Sequence, residues 1–323
     1  MLARIGEWAR PIIERSPWAS GLGLARTLLA LSTLGTLLAT TAQTLMAPLA
    51  DGTVPPTCSD LTKWGLWCAV TAGKGEVARW LSITALLLVA SGWRPRFTGV
   101  LHWYVAWSLM ANASILDGGD QVTTVLTLLL VPVTLTDPRR WHWLAMPKGD
   151  PGIGRVVAYT GMVLIQIQVA VIYFHASIAK LGVREWADGT AMFYWLRHPT
   201  FGADGWLRPV AEVITDSPVG VAAITWSSIA LEFALAVALL LRPPLRRLLL
   251  IAGFTFHGLI ALTMGLISFS TAMSAALLLY LLPIGHQVVA PAWADAMWAR
   301  ARLRIPRRRP VAPTPAGTSP NPA

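Results

Sequence analysis

The stretch VVAYTGMVLIQIQVAVIYFHASIA, residues 156–179, runs for 24 positions without a charged side chain. About 20 apolar residues are enough for a helix to cross the hydrocarbon core of a bilayer. The charged flanks, Arg155 and Lys180, stand roughly 36 Å apart at 1.5 Å per residue, which exceeds a hydrocarbon core of about 30 Å. The stretch therefore predicts a transmembrane helix with Lys180 near one membrane interface.

The composition agrees with this assignment over the whole chain. Of 323 residues, 54% are hydrophobic and 13% are charged, and the mean hydropathy is +0.55. A soluble globular chain carries about 25% charged residues, so that class is excluded. We predict an all-α, polytopic bundle of about eight transmembrane helices in the cell membrane. The other seven apolar spans are residues 22–46, 77–92, 98–116, 121–136, 218–241, 248–266 and 270–291.

The distribution of Lys and Arg predicts the orientation. Basic residues are retained in cytoplasmic loops, and with the N-terminus inside, 19 of the 26 fall on the cytoplasmic side. Both termini are then cytoplasmic. The net charge of +10 sits in these loops and the tail, where it sets topology and contacts anionic lipid. No nucleic-acid partner is implied. The seven outer basic residues are Lys63, Lys74, Arg79, Lys180, Arg184, Arg197 and Arg208.

The chain divides into three parts. Residues 1–20 form a cytoplasmic N-terminal segment and residues 21–295 the transmembrane domain. We interpret the first span as a retained anchor and not a cleaved signal peptide, because it is long and no clear cleavage site follows. Residues 296–323 are basic and rich in proline, and we expect them to form a disordered cytoplasmic tail.

The two cysteines lie in the outer loop between the first two spans. Nine residues separate Cys58 from Cys68, and an oxidising compartment permits a disulfide. Such a bridge would stabilise the loop by roughly 2 to 3 kcal/mol. The alternative is a pair of free or metal-binding thiols. Without a nearby histidine the pair is a poor zinc site, and we expect no metal.

The end of the span at residues 156–179 carries the first candidate functional residues. Gln166, Tyr173 and Lys180 recur every seven residues and so share one helix face, whereas Gln168 and His175 share another. A polar loop follows at once, with Arg184, Glu185, Asp188, Arg197 and His198. Lys180 is either a snorkelling lysine with its stem in lipid or a functional group.

Two ionisable residues lie deeper in the apolar spans. Glu232 is in the middle of span 218–241 and His257 in the middle of span 248–266, so each must face the bundle or a water-filled cavity. A buried carboxylate or histidine there suits a proton relay or a general base. The alternative is an interhelical hydrogen bond or ion pair that fixes packing.

The turn between the third and fourth spans reads ANASILDGGDQV. Two glycines between Asp117 and Asp120 favour a tight turn on the outer face. The same carboxylates could instead pair with Lys180 or bind a cation.

Several segments resemble one membrane family. They are HASIAKL (175–181) followed by Trp186, Gly189, Tyr194 and Leu196, HPTFG (198–202), LDGGDQ (116–121), DPRRWHW (137–143), RPPLRR (242–247) and FHGLIALTMGLISFS (256–270). In order and spacing they are similar to the HTTM membrane domain shared by vitamin K-dependent gamma-carboxylases and SdpB-like proteins. The resemblance covers roughly residues 15–295.

The resemblance implies a function for Lys180. In the carboxylases the corresponding lysine is the base that deprotonates a reduced quinone, so a reduced quinone is the implied cofactor. The Asn-His pair of the carboxylases is replaced here by Asp and Gly residues, which argues against glutamate carboxylation. The paired cysteines resemble the SdpB-like branch instead. That branch implies a protein that assists maturation or export of a secreted antimicrobial peptide, together with a partner maturation subunit.

The positions of the ionisable residues and the family resemblance together predict one site. Lys180 would be the base or electrostatic anchor, supported by His175, Glu232 and His257. The substrate-binding set would be Tyr173, Arg184, Trp186, Asp188, Arg197, His198, Asp117 and Asp120.

Whether the chain is an enzyme stays open at this point. One alternative is a lyase or oxidoreductase related to the carboxylases, and another is a non-enzymatic peptide-binding scaffold or immunity protein. A third, a small-solute or proton-coupled transporter, is suggested only by Glu232 and the buried histidines, since no inverted repeat is visible.

Overall fold

The computed structural model describes residues 16–70, 74–144 and 152–288, and within these ranges it is helical without a β-strand. Each predicted apolar span overlaps one long helix. The predicted tail, 296–323, and most of the N-terminal segment lie outside the described residues. The long helices are α1 (Ser20–Ala39), α2 (Gly75–Ser91), α3 (Pro95–Asn112), α4 (Gly118–Leu135), α5 (Ile153–Leu181), α6 (Pro218–Ala236), α7 (Pro243–Met264) and α8 (Ile267–Leu281).

Short helices fill the connections between the long ones. The α-helical ones are Ala42–Leu45, Leu66–Ala69, Arg184–Ala187, Ala191–Leu196 and Arg208–Thr215. Single 3-10 turns span Thr62–Trp64, Gly205–Leu207 and Ala238–Leu240. The longest connection, between α5 and α6, contains three of these α-helices and is therefore a structured cap and not an open loop.

Five of the described helices are long and apolar enough to cross a membrane, namely α1, α4, α5, α6 and α7. Helix α8 is apolar but shorter, with 15 residues. An all-helical membrane protein is therefore confirmed. Buried leucines and isoleucines such as Leu29, Leu126, Ile165 and Leu235 form the core between α1, α4, α5, α6 and α8.

Side-chain caps define where two helices of the site begin. Asp117 precedes α4 and its carboxylate accepts the backbone N–H of Asp120 at 3.0 Å. Ser217 precedes α6, its hydroxyl accepts the N–H of Gly220, and Pro218 occupies the first turn. Such N-caps satisfy N–H groups that have no partner within the helix. The turn predicted at LDGGD is thus the start of a capped helix.

A buried polar cluster ties the α4–α5 connection to α1. Arg139 forms an ion pair with Asp137 at 2.7 Å and donates to the backbone carbonyl of His142 at 2.6 Å. Arg26 of α1 lies 3.2 Å from the His142 ring nitrogen Nδ1. Burial, and then the charges of Arg26 and Arg139, lower the pKa of His142 to about 2. Gly92 leaves room for this ring, because a Cβ there would stand 2.3 Å from it.

Cys58 and Cys68 form a disulfide with their Cα atoms 5.5 Å apart. The predicted bridge is confirmed. The disulfide joins the loop at Cys58 to the short helix Leu66–Ala69, which contains Cys68. This short helix packs against α3.

Candidate functional site

An ion pair between two helices lies at the centre of the site. Lys180, in the last turn of α5, donates to both carboxylate oxygens of Glu232 on α6, at 2.7 and 2.6 Å. The side chain of Lys180 is 21% exposed and that of Glu232 is 8% exposed. Each charge is thus compensated in a place where an unpaired charge would be costly.

A second polar contact joins α5 to α7, two turns before Lys180 on the same face of α5. The hydroxyl of Tyr173 on α5 lies 2.9 Å from Nε2 of His257 on α7, and both residues are buried. The edges of Phe256 and Phe269 hold the His257 ring, with centroids 5.1 and 5.7 Å away. Among the described residues, Nδ1 of His257 has no hydrogen-bond partner. This nitrogen can accept from, or donate to, a bound molecule.

Both contacts border one cavity of about 530 Å³ between α4, α5, α6, α7 and α8. Its polar lining consists of Gln121, Gln168, Tyr173, His175, Lys180, Glu232 and His257. Apolar side chains such as Val125, Val171 and Met273 complete the wall. A volume of this size, mostly apolar with a few converging polar groups, is typical of a small-molecule site.

The sequence spacing assigned Tyr173 and Lys180 to one face of α5 and Gln168 and His175 to another, but residues from both faces line this cavity. Gln166, which shares the Lys180 face by spacing, instead donates to the backbone carbonyl of Tyr280 at 3.2 Å. Sequence reasoning missed Gln121 and Gln168 as lining residues. For Gln168 a signal existed, because it stands seven residues before His175.

A groove on the α5–α6 connection adjoins the ion pair through one residue. The ring of Trp186 lies 5.1 Å from Nζ of Lys180, a cation–π distance. Trp186 also lines the groove, which measures about 530 Å³. The other lining residues are Val183, Glu185, Ala191, Tyr194, Trp195, His198 and Phe201. Trp186 therefore contacts Lys180 on one side and forms part of the aromatic groove on the other.

The remaining predicted binding residues organise this connection. Arg197 donates to the Thr215 hydroxyl at 2.7 Å and pairs with Asp216. Nδ1 of His198 accepts two backbone N–H groups, those of Thr200 and Phe201. These contacts hold the groove in shape. Of the two, only His198 also lines it.

Asp188 and Arg184 lie on the exposed side of the same connection. The Asp188 carboxylate accepts from the side chain and the backbone of Thr190, and these bonds lower its pKa. Arg184 is exposed and begins the helix Arg184–Ala187. Neither residue lines the cavity or the groove described above.

Asp117 and Asp120 do not pair with Lys180, whose carboxylate partner is Glu232. Asp117 accepts from the Ser268 hydroxyl at 2.6 Å in addition to capping α4. Asp120 points into the bundle and is 3% exposed. Within the described ranges no cluster of three or more His, Cys, Asp or Glu side chains suits a metal ion.

Comparison with known proteins agrees with the resemblance drawn from the sequence. The family model of the HTTM domain matches residues 126–283, which include Lys180, Glu232 and His257. The uncharacterized protein YitO of Bacillus subtilis (strain 168) is 41% identical over 281 residues, 85% of this chain and 89% of its own length. Sporulation-delaying protein SdpB of the same organism is 34% identical over 276 residues, 84% of each chain. No solved structure matches the chain. Since the family model contains the site and both relatives align over most of their length, the chain belongs to the HTTM domain family.

Proposed function

We propose that this membrane protein assists the maturation or export of a secreted peptide, and that the cavity around Lys180 and Glu232 is its working site. The observation that carries the proposal is the ion pair itself, which borders the cavity and lies beside an aromatic groove through Trp186. The similarity to sporulation-delaying protein SdpB supports a peptide toxin as the substrate class.

The ion pair can act as a proton-transfer unit. Nζ of Lys180 is within hydrogen-bond distance of both oxygens of Glu232, so a proton can pass between them without movement of either helix. Lys180 is also the more exposed partner, so it would meet the substrate while Glu232 holds it in place. General acid–base catalysis needs a group that lies within hydrogen-bond distance of the substrate and is held in a fixed orientation.

The cavity also fits the ring of a reduced quinone. Its apolar wall suits the ring, and Gln168, His175 and His257 supply hydrogen-bonding groups. Nδ1 of His257 has no hydrogen-bond partner among the residues that the structure describes, so a bound ligand could contact this atom. When bound, a reduced quinone would supply two reducing electrons. The chain itself would hold it and manage its protons through Lys180 and Glu232.

The topology that we propose faces this site outward. Eight spans with both termini in the cytoplasm place the ends of α5 and the beginnings of α6 on the extracytoplasmic side, where a secreted peptide would be met. The disulfide Cys58–Cys68 supports the same side for the α1–α2 connection, because disulfides form in oxidising compartments. The partners would be the bilayer, the peptide and a second maturation subunit.

The test is coexpression with a candidate small secreted peptide from the same genome. Wild type, Lys180→Ala and Glu232→Gln are compared by mass spectrometry of the peptide and by its activity. Lys63→Ala is the matched control, because Lys63 is another predicted outer lysine that contacts a tryptophan ring. We expect maturation to fall at least tenfold in both site variants and to persist in the control. Unchanged peptide mass and activity in Lys180→Ala would rule out the catalytic role.

A second candidate function is a non-enzymatic scaffold that binds the peptide. The aromatic groove favours it, since tyrosine and tryptophan dominate protein-recognition surfaces. Under this function Lys180→Ala stays active, whereas Tyr194→Ala and Trp195→Ala lose peptide capture. The two sets of variants, measured in one coexpression assay, separate a scaffold from a catalyst.

A further inference from the structure

One carboxylate stands among the rings of the aromatic groove on the α5–α6 connection. Glu185 lines this groove together with four aromatic residues, Trp186, Tyr194, Trp195 and Phe201. Glu185 is exposed, and no residue in the described ranges pairs with its carboxylate or donates a hydrogen bond to it. The carboxylate is therefore available to a positively charged ligand.

The basic residues of the same connection do not supply that charge. Arg197 pairs with Asp216, and Arg208 pairs with Glu212 at 3.1 Å. Neither arginine lines the aromatic groove, and the exposed Arg184 does not line it either. The described wall of the groove thus carries negative charge without a compensating arginine or lysine.

His198, the remaining titratable residue of the groove wall, is neutral. Its Nδ1 accepts the backbone N–H groups of Thr200 and Phe201 at 3.1 and 3.2 Å. A ring nitrogen that accepts hydrogen bonds carries no hydrogen, so the hydrogen of this ring is on Nε2. The nearby ammonium of Lys180 is compensated by Glu232. A cation in the groove would therefore meet the Glu185 carboxylate without an opposing charge from His198.

Hydrogen bonds hold the groove in its shape before any ligand binds. The backbone N–H of Thr190 donates to the carbonyl of Glu185 at 2.8 Å and joins the two short helices that carry Glu185 and Trp195. The backbone N–H of Met192 donates to the Thr225 hydroxyl on α6 at 3.3 Å. Both walls of the groove are thus attached to the bundle, and little ordering is needed on binding.

We propose that this groove binds a lysine or arginine side chain of a secreted peptide, with Glu185 as the counterion. The faces of tryptophan and tyrosine rings attract a cation within about 6 Å, and cages of such rings recognise cationic groups. The carboxylate adds a charge-assisted hydrogen bond. Because the ligand is the peptide of the proposed function, this assignment rests on that function.

A peptide fits this surface better than a small organic cation does, because the groove continues into a second cavity. His198 lines both the groove and this second cavity, which measures about 510 Å³. Polar side chains line the second cavity, among them Asp204, Arg208 and Glu212. Such groups can donate to and accept from the backbone amides of an extended chain. The basic side chain would lie in the groove, and the residues next to it along the second cavity.

The experiment compares two short peptides on the purified full chain in dodecyl maltoside micelles, which contain no ammonium group. The probes are acetyl-alanyl-lysyl-alanine amide and the same peptide with norleucine in place of lysine. Saturation-transfer NMR titrations give the Kd of each. We expect wild type to bind the lysine peptide at least fivefold more tightly, because the aromatic faces and Glu185 favour the charged side chain.

Two variants and one control assign this preference to the groove. Glu185→Gln should bring the two peptides within twofold of each other, and Tyr194→Leu should lower the preference at least twofold. Asp188→Asn is the matched control, because Asp188 belongs to the same connection but does not line the groove. Its new amide oxygen can still accept from Thr190, and the variant should keep the wild-type preference.

Three outcomes would overturn the proposal. They are equal affinity of wild type for the two peptides, an unchanged preference in Glu185→Gln, and choline bound as tightly as the lysine peptide, which would indicate a site for small cations. If Glu185→Gln does not fold, Tyr194→Leu decides, at a position that is 58% exposed. The titration contains no maturation step, so a failure of the proposed function appears only in the coexpression assay and a failure of the groove assignment only here.

Discussion

Lys180 at the end of α5 and Glu232 near the end of α6 are 52 residues apart in sequence and joined by two contacts of 2.7 and 2.6 Å. The pair thus links the long α5–α6 connection to the interior of the bundle. It also leaves the cavity with no uncompensated charge from either residue. Changes to one partner and to both partners should consequently differ in their effects.

Replacing one partner should be worse than replacing both. Glu232→Gln leaves the Lys180 ammonium without its counterion, and we expect the free energy of unfolding to fall by about 2 to 3 kcal/mol, less than for a fully buried pair. The double variant Lys180→Met with Glu232→Leu should recover at least half of that loss, because no charge remains. Unfolding curves in nanodiscs measure both. A double variant as unstable as the single one contradicts the prediction.

The Tyr173–His257 contact should matter for function more than for stability. Tyr173→Phe removes the hydroxyl that meets His257 at 2.9 Å, and we expect a loss of about 1 to 2 kcal/mol in unfolding free energy together with loss of peptide maturation. Tyr280→Phe is the control, since its hydroxyl bonds only to backbone carbonyls at the end of α6. It should lose similar stability and keep maturation. Equal maturation in both variants would place Tyr173 outside the working site.

Sequence reasoning located the helices because apolar length is a local property. Each predicted span overlaps a helix, but the ends differ. For example, α4 begins at Gly118, three residues earlier than expected, and Asp117 caps it. The span of α2 starts close to a charged residue, Arg79, whose side chain bonds to Glu76 and to the Leu37 carbonyl. Neither partner choice follows from hydropathy.

The sequence could not predict which side chains pair within the site, because pairing depends on how the helices pack and not on hydropathy. Heptad spacing ranks Gln166 beside Tyr173 and Lys180, but small rotations of α5 decide which glutamine meets the cavity, and Gln168 does. The sequence offered Asp117 and Asp120 as partners for Lys180 and named no partner for Glu232. Only the packing of α5 against α6 selects the pair that forms.

Acid should destabilise the protein through His142. Its pKa is about 2 in the folded protein and 6.5 in the unfolded reference, so the unfolded chain takes up a proton below pH 6.5 while the folded chain does not. Stability is full above pH 6.5 and falls as the pH drops toward 2, by about 1.4 kcal/mol per pH unit from this group. Thermal unfolding of wild type and His142→Gln at pH 7, 6 and 5 measures the slope.

The variant should show a flatter acid response even if its stability at pH 7 is lower. His286→Gln, at an exposed position, is the matched histidine control and should keep the acid sensitivity of the wild type. Parallel slopes for His142→Gln and wild type would assign the acid response to another group.

The disulfide provides the sharpest test of the proposed orientation. In intact cells a membrane-impermeant maleimide should label Cys58 and Cys68 only after treatment with an impermeant reductant, because the bridge is closed and the α1–α2 connection is proposed to face outward. Arg96→Cys, at an exposed position in the first turn of α3 on the proposed cytoplasmic side, should stay unlabelled until the cells are permeabilised. Cys58→Ser with Cys68→Ser should lower the unfolding free energy by about 2 to 3 kcal/mol, since the unfolded loop is no longer restrained. Labelling of Arg96→Cys in intact cells would reverse the topology and move the Lys180 site to the cytoplasmic face, where a secreted peptide could meet it only before export.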